Sequence, residues 1–243
     1  MFTSWVHFAH SALNHELLRR SWRAFLNRLH SSWDAVELRR DLNVPLAAPA
    51  AAIALRIRPI EPRDIPSILE IADPQLSSEE KWERVRRRRL LDANFGTCFV
   101  AVTDGDRPCY MQWLFTNRDN EKIRNYFSGL FPELASDEAL LEGAFTPEAF
   151  RGKRIMQAAM AQIAEKGAGL GARSVITFVG LDNIASLKGC ARAGFFPYAR
   201  RSQIWRLFRC RTVTSPYEDS VSGAPVSSAL DTSTAASIKA TSS

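Results

Sequence analysis

The sequence predicts an α/β domain, and three stretches predict it. Leu140 to Gln157 reads as a buried strand, a tight loop and the start of a helix. Leu140, Leu141, Ala144 and Phe145 are apolar on both faces, Pro147 cannot continue a ladder, and Ile155, Ala158, Ala159 and Ile163 recur at helical spacing. Cys98 to Val102 and Cys109 to Phe115 are two strands about the turn signal Asp104–Gly105, hence a hairpin. Ser174 to Val179 is rich in β-branched residues, and a helix follows that Asn183 opens and Gly194 closes.

Taken in order, residues 5 to 42 read as helical. Leu13, Leu17, Leu18, Trp22, Phe25, Leu29 and Trp33 recur every three to five positions, with Arg19, Arg20, Arg23 and Arg28 on much of the other face. Such a stripe packs on the domain or on a second subunit, or rests as a basic amphipathic helix on a membrane surface. Residues 44 to 52, VPLAAPAAA, read as a linker. Leu55, Ile57 and Ile60 suggest a first strand. Asp64 caps a short helix with Pro66 in its first turn, and Ser77 with Glu80 forms a capping box for the next. That second helix carries Arg84, Arg86, Arg87, Arg88 and Arg89. The run reads as a solvated face more readily than as a nucleic-acid grip, because no interleaved aromatics or binding motif accompany it.

Residues 117 to 138 form a long connection containing Asn120, Arg124, Tyr126, Phe127 and Phe131, a place for substrate selection. Phe195 to Tyr198 and Ile204 to Phe208 read as two last strands joined by Arg200 and Arg201. The organisation expected is a helical extension over 1–43, a linker over 44–54, a domain over 55–211 and a disordered Ser/Thr/Ala-rich tail over 212–243.

Composition narrows the function classes. Hydrophobic residues make up 46% of the 243, ample for a core, and the net charge is 32 − 26 = +6. A mildly basic chain suits an anionic cosubstrate, nucleic acid or an anionic membrane and does not decide among them. Cys98, Cys109, Cys190 and Cys210 lie far apart without metal-ligand spacing, which fits reduced thiols in a cytoplasmic protein and no metal. No apolar run is long enough to span a membrane, and His7, His10, Asn14 and His15 interrupt the start of the chain where a secretory signal would be apolar.

Chemistry concentrates at the first of the three stretches. A loop that leads from a buried strand into a helix presents unpaired backbone N–H groups, which bind anions and above all phosphates. The segment PEAFRGKRIM, residues 147–156, resembles the acyl-CoA-binding signature of the GNAT superfamily of N-acetyltransferases: Arg or Gln, two residues, Gly, one residue, then Gly or Ala. Arg151 matches the first position, and Gly152 and Lys153 are common there. Arg154 and Met156 stand where the family prefers small residues. The block from Asn183 to Phe195 resembles the family's later helix, with its opening Asn and closing Gly-Phe. The resemblance covers residues 55 to 208.

The resemblance implies a mixed, mostly antiparallel sheet with helices on both faces, and transfer of an acetyl or other acyl group from acyl-CoA to a small-molecule or peptide amine by direct attack in a ternary complex. It implies binding of the donor by Phe145, Thr146, Arg151, Gly152, Lys153, Arg154, Ile155, Met156, Asn183 and Ser186. The Phe145 amide is the candidate for polarising the acyl carbonyl. Glu142 stands where members carry a carboxylate base; a carboxylate that only binds the cationic amine, or one paired with an Arg, is the plainer reading. The family's usual proton donor, a Tyr seven residues after the Asn, is here Cys190, which is either a weak acid or a small apolar filler, with Tyr198 as a substitute acid. The changed positions leave open a catalytically inactive binding module, or an enzyme using a longer or carrier-bound acyl donor at a membrane surface. A homodimer is compatible with the N-terminal stripe.

Overall fold

In the computed structural model, residues 30–207 and 209–217 are described. They build one eight-stranded sheet in the order β2-β3-β4-β5-β6-β1-β7-β8, antiparallel everywhere except between β5 and β6. The strands are β1 (His30–Asp41), β2 (Arg56–Pro59), β3 (Thr97–Val102), β4 (Pro108–Thr116), β5 (Glu138–Phe145), β6 (Ser174–Gly180), β7 (Phe196–Arg206) and β8 (Arg209–Pro216). The helices are α1 (Asp64–Leu69), α2 (Ser78–Asp92), α3 (Asn120–Tyr126), α4 (Ile155–Ala168) and α5 (Ile184–Arg192). One core cluster lies under α4 and α5, with Leu141, Ile155, Met160, Val175 and Phe195; the other lies under α1, α2 and α3, with Ile68, Leu90, Trp113, Phe115 and Leu140. The sheet is thus covered on both faces, as expected.

Three boundaries differ from the sequence reading. Residues 30–41, read as the end of a helix, are strand β1, paired with β6 on one side and β7 on the other. Ala35, Val36, Glu37 and Leu38 are all buried, so a continuous run rather than an alternation marks this strand. Its polar residues are matched individually. Glu37 accepts from Arg201 Nε at 2.5 Å, and Arg40 donates to the Ala161 carbonyl at 2.9 Å while pairing with Glu165. The remainder of the proposed extension, residues 1–29, lies outside the described residues.

The same pairings explain the second difference. Arg200 and Arg201, read as a joint between two strands, sit within the single strand β7, because Asp34 and Glu37 of β1 take their charges. Third, Thr212 to Pro216, assigned to a disordered tail, form most of β8 against Ala199–Gln203 of β7. A hairpin ladder satisfies their backbone although every residue from 211 to 216 is exposed. Residues 218–243 lie outside the described residues. The linker also does more than connect: Ala51 and Ile53 pack on the core, and the Ala52 amide donates to the Lys153 carbonyl at 2.9 Å.

Candidate active site

The site is built where β5 leaves both of its neighbours. On one side, Glu142 is opposite Trp113 and Phe145 opposite Met111, so β5 holds one residue more than β4 over this step. The excess is a bulge at Gly143–Ala144. Gly143 has φ 71°, and a Cβ there would lie 2.8 Å from Trp113 Cε3 and 3.1 Å from Leu90 Cδ2. On the other side, β5 pairs with β6 only from Glu138 to Leu140, opposite Ser174 to Ile176. Both strands continue, to Phe145 and Gly180, without pairing to each other, and a gap opens between them. At its neck the Thr177 hydroxyl donates to the Leu141 carbonyl at 2.9 Å.

Beyond Phe145 the chain passes Pro147, a 3₁₀ turn over Glu148–Phe150 and then Arg151 to Arg154 before α4 begins. α2 holds this turn. Glu80 Oε2 accepts from the Glu148 amide at 2.8 Å, and the Ser77 hydroxyl donates to the Glu148 carboxylate at 2.5 Å. Ser77 caps α2 as expected, accepting from the Glu80 amide at 3.0 Å. Glu80, expected to close a capping box, is turned instead toward Arg84 and Glu148. Gly152 and Arg154 adopt left-handed backbone, φ 77° and 57°, and no side chain caps the first turn of α4. Arg154, where the resemblance prefers a glycine, therefore keeps a glycine's conformation. A Cβ on Gly152 would have nothing within 4 Å, so the loop is open to a ligand on that side.

Two cavities meet here. An open cleft of about 740 Å³ is lined by Phe145, Thr146, Arg151, Gly152, Arg154, Ile155, Met156, Asn183 and Ser186, among others. Its wall also carries Arg86, Arg87 and Arg192 against Glu79 and Glu83, so the lining is net positive and suits a polyanion. A chamber of about 170 Å³ occupies the gap between β5 and β6, with Glu142, Gln112, Thr177 and Cys190 in its wall. Arg87, Ala144, Met156, Asn183 and Ser186 line both, which makes the two spaces neighbours. Of the donor-binding residues expected from sequence, only Lys153 lines neither; its Nζ lies 5.2 Å from the Phe150 ring centre.

The other large side chain of the loop is also accommodated. Met156 Sδ reaches across to α5 and lies 3.2 Å from where a Cβ on Gly189 would sit. A large residue on α4 is matched by a glycine opposite. Asn183 caps α5 through Oδ1, which accepts from the Ser186 amide at 3.1 Å.

Burial raises the pKa of Glu142 above the ordinary carboxylate value. The Gly143 amide and the Arg87 and Arg86 charges partly oppose this, while Glu83 adds to it. Burial likewise pushes the Cys190 thiol up to about 12, and its Sγ lies 3.8 Å from Met160 Sδ among apolar groups. Tyr198 is not brought to the site. It lies on β7 with the Arg39 guanidinium 4.4 Å from its ring centre, and it lines neither cavity.

Two residues of the site carried no sequence signal of function. Tyr110, fully buried on β4, lines the cleft and donates its hydroxyl to Gln112 Oε1 at 2.7 Å. Burial holds its phenol well above the usual value. Arg87, hidden in the arginine run, donates from Nε to the Gly143 carbonyl at 2.9 Å and from the adjacent NH2 to the Ala144 carbonyl at 2.7 Å. Among the described residues, no group of three or more His, Cys, Asp or Glu could hold a metal ion, and no helix is long and apolar enough to cross a membrane.

The sequence profile of the Acetyltransferase (GNAT) family matches residues 65–195, more than half of the chain. Among solved structures, a GNAT-family acetyltransferase from Colwellia psychrerythraea aligns at 14% identity and TM-score 0.46 over 82% of this chain and 62% of its own. A GCN5-related N-acetyltransferase from Sphaerobacter thermophilus aligns at 14% identity and TM-score 0.46 over 82% and 57%. A putative acetyltransferase from Agrobacterium tumefaciens aligns at 22% identity and TM-score 0.39 over 58% and 92%. The chain spans about three fifths of the first two structures. No curated protein sequence matches the chain.

Proposed function

The chain belongs to the GNAT acetyltransferase family, and we propose that it moves an acetyl or other acyl group from acyl-CoA to a primary amine by direct attack in a ternary complex. One observation carries this reading. The uncapped start of α4, with Gly152 open beside it, lines a net-positive cleft that adjoins a chamber holding a proton-hungry carboxylate in the gap between β5 and β6.

The geometry supports the following roles. The amides from Gly152 to Gln157 and the dipole of α4 hold the pyrophosphate, and Arg151 and Arg154 add charge around it. Arg151 is partly engaged already, donating to the Thr146 carbonyl at 3.2 Å. The thioester then lies along β5, where the Phe145 amide polarises its carbonyl, an effect on the order of 3 kcal/mol for a preset donor. Glu142, with its raised proton affinity, accepts the ammonium proton and frees the amine to attack.

Cys190 is a poor acid for the departing thiolate. An ordinary thiol has a pKa of about 8.5, so a thiol that burial pushes up to about 12 gives up its proton far less readily. The thiol is better placed as an apolar filler against Met160. The second proton, which the attacking nitrogen loses as the amide forms, reaches the leaving thiolate through water in the open cleft.

Titration calorimetry with acetyl-CoA, followed by thiol release over a panel of amino sugars, polyamines and short peptides, tests the reading. Binding, turnover on at least one amine, and loss of the acid limb of the pH profile in E142Q are expected. No binding of any acyl-CoA overturns it, and binding without turnover on any amine favours the inactive module.

A further inference from the structure

Arg87 is the least expected residue of this site. It comes from a run of arginines on α2, yet its side chain is only 12% exposed and lines both cavities. Each nitrogen of its guanidinium has a partner. The Nε and NH2 edge grips the carbonyls of Gly143 and Ala144, while NH1 pairs with Glu83 at 2.7 Å. Those two carbonyls belong to the bulge, where an inserted residue disrupts the regular ladder. A buried carbonyl without a partner is costly, so this side chain stabilises an irregular strand that would otherwise draw in water or straighten.

The consequence reaches Phe145. A peptide unit is planar, so fixing a C=O fixes the N–H at the other end of the same unit. Gripping the Gly143 carbonyl orients the Ala144 amide, and gripping the Ala144 carbonyl orients the Phe145 amide. A lysine could keep the charge but could not hold two carbonyls with a rigid fork.

We propose that Arg87 is a positioning residue of this site: it sets the two peptide planes that run into Phe145 and supplies the fixed positive charge beside Glu142. This rests on the acyl-CoA reading for its first half; its second rests on Arg87 and Glu142 lining the same small chamber. The charged and titratable groups facing Glu142 are few. α2 offers Arg86, Arg87 and Glu83, β4 offers Tyr110, α5 offers Cys190, and β6 lines the chamber with Thr177, Phe178 and Val179, none of which titrates. Tyr110 and Cys190 have raised pKa values and stay neutral over the working range. Of the cations, Arg87 acts on Glu142 more strongly than Arg86.

Two measurements that need no amine acceptor test this. The first is the ratio of affinities for acetyl-CoA and for free CoA, by calorimetry on the full chain. CoA binding reports the cradle, and the ratio reports the meeting of the acyl carbonyl with the strand. R87K and R87M are each expected to cut the preference for acetyl-CoA over CoA about five-fold, the worth of one hydrogen bond; the charge lost from the cleft wall in R87M lowers both affinities alike and leaves the ratio to report the strand. The second is the side-chain carboxyl titration of Glu142 by carbon NMR, assigned with E142Q. R87M is expected to move it up by about one unit or more, and R87K to leave it in place.

A folded R87M with an unchanged ratio and an unchanged titration overturns the proposal. So does an R87K variant that keeps the full acetyl-CoA preference, and this arm stands if R87M fails to fold. If the unsubstituted protein binds neither CoA nor acetyl-CoA, the acyl-CoA reading falls. The Glu142 titration in R87M then decides the charge role: an upward move upholds it and no move overturns it.

Discussion

Substituting Gly143 by alanine separates the bulge from the rest of the fold. Two costs add. Left-handed backbone at φ 71° costs a residue with a Cβ about 1–2 kcal/mol. The new methyl would also lie 2.8 Å from Trp113 Cε3 and 3.1 Å from Leu90 Cδ2, both on buried residues, and overpacking of this kind costs about 1–3 kcal/mol. The sum is about 2–5 kcal/mol. For a chain of this size each kcal/mol lowers Tm by about 2–4 °C, so a fall of about 7–14 °C is expected for a mid-range cost. Gly152 supplies the control. Its φ is 77°, but nothing lies within 4 Å of its Cβ position, so G152A carries the backbone cost alone. Thermal melts by circular dichroism on both variants check this, and acetyl-CoA titration of G143A reads the site. If G143A melts no lower than G152A, the clash against Trp113 and Leu90 is not real and the bulge geometry is wrong.

Arg154→Gly should raise Tm by about 2–4 °C, because it removes a left-handed arginine that no side-chain cap offsets; a lower Tm would refute the strain argument. Removing residues 1–45 spares the whole family match yet deletes the strand between β6 and β7. Loss of a cooperative melt is expected, and a fragment that melts cooperatively would refute the placement of β1. E142Q should raise Tm at pH 8 but not at pH 4. The folded carboxyl holds its proton more tightly than the unfolded one, so its contribution to stability is present at low pH and is lost as pH rises through the folded pKa. C190A should lower Tm while leaving the alkaline limb of the pH profile where it was; a displaced limb would restore the thiol as a proton donor.

The parts of the fold legible in the sequence were those whose local signals and tertiary surroundings agree. β3, β4, β5 and β6 are apolar runs ended by Pro, Gly or turn signals, and α5 has a true Asn cap and a closing glycine. β1 was illegible for a physical reason. The spacings of Leu13 through Trp33 continue into it, and its own signature, polar residues in a strand buried on both faces, looks like amphipathicity until the partners are known. Asp34, Glu37 and Arg40 are tolerated there only because Arg200, Arg201 and Glu165 wait on neighbouring elements more than a hundred residues away. The same pairs disguised β7. A residue's charge can be read from sequence, but the pairing that permits its burial cannot.

That limit bears hardest on the arginine run of α2. Composition treats Arg84, Arg86, Arg87, Arg88 and Arg89 as equivalent, and helical periodicity alone does not say which face meets the sheet. The structure divides them. Arg86 and Arg88 are exposed and lie within ion-pair distance of Glu83 and Asp92, contacts worth little in water. Arg84 is buried against Glu80 and the Glu70 carbonyl, and Glu80 in turn holds the Glu148 amide. Arg87 holds the bulge. α2 therefore grips the candidate catalytic strand at two points, before Phe145 through Arg87 and after it through Glu80. The strand segment between those points is the one whose peptide geometry the acyl carbonyl would meet. A helix that looked like a solvated surface is, on this arrangement, the brace against which the reactive stretch is shaped. Substitutions along its inner face should alter donor discrimination before they alter cofactor affinity.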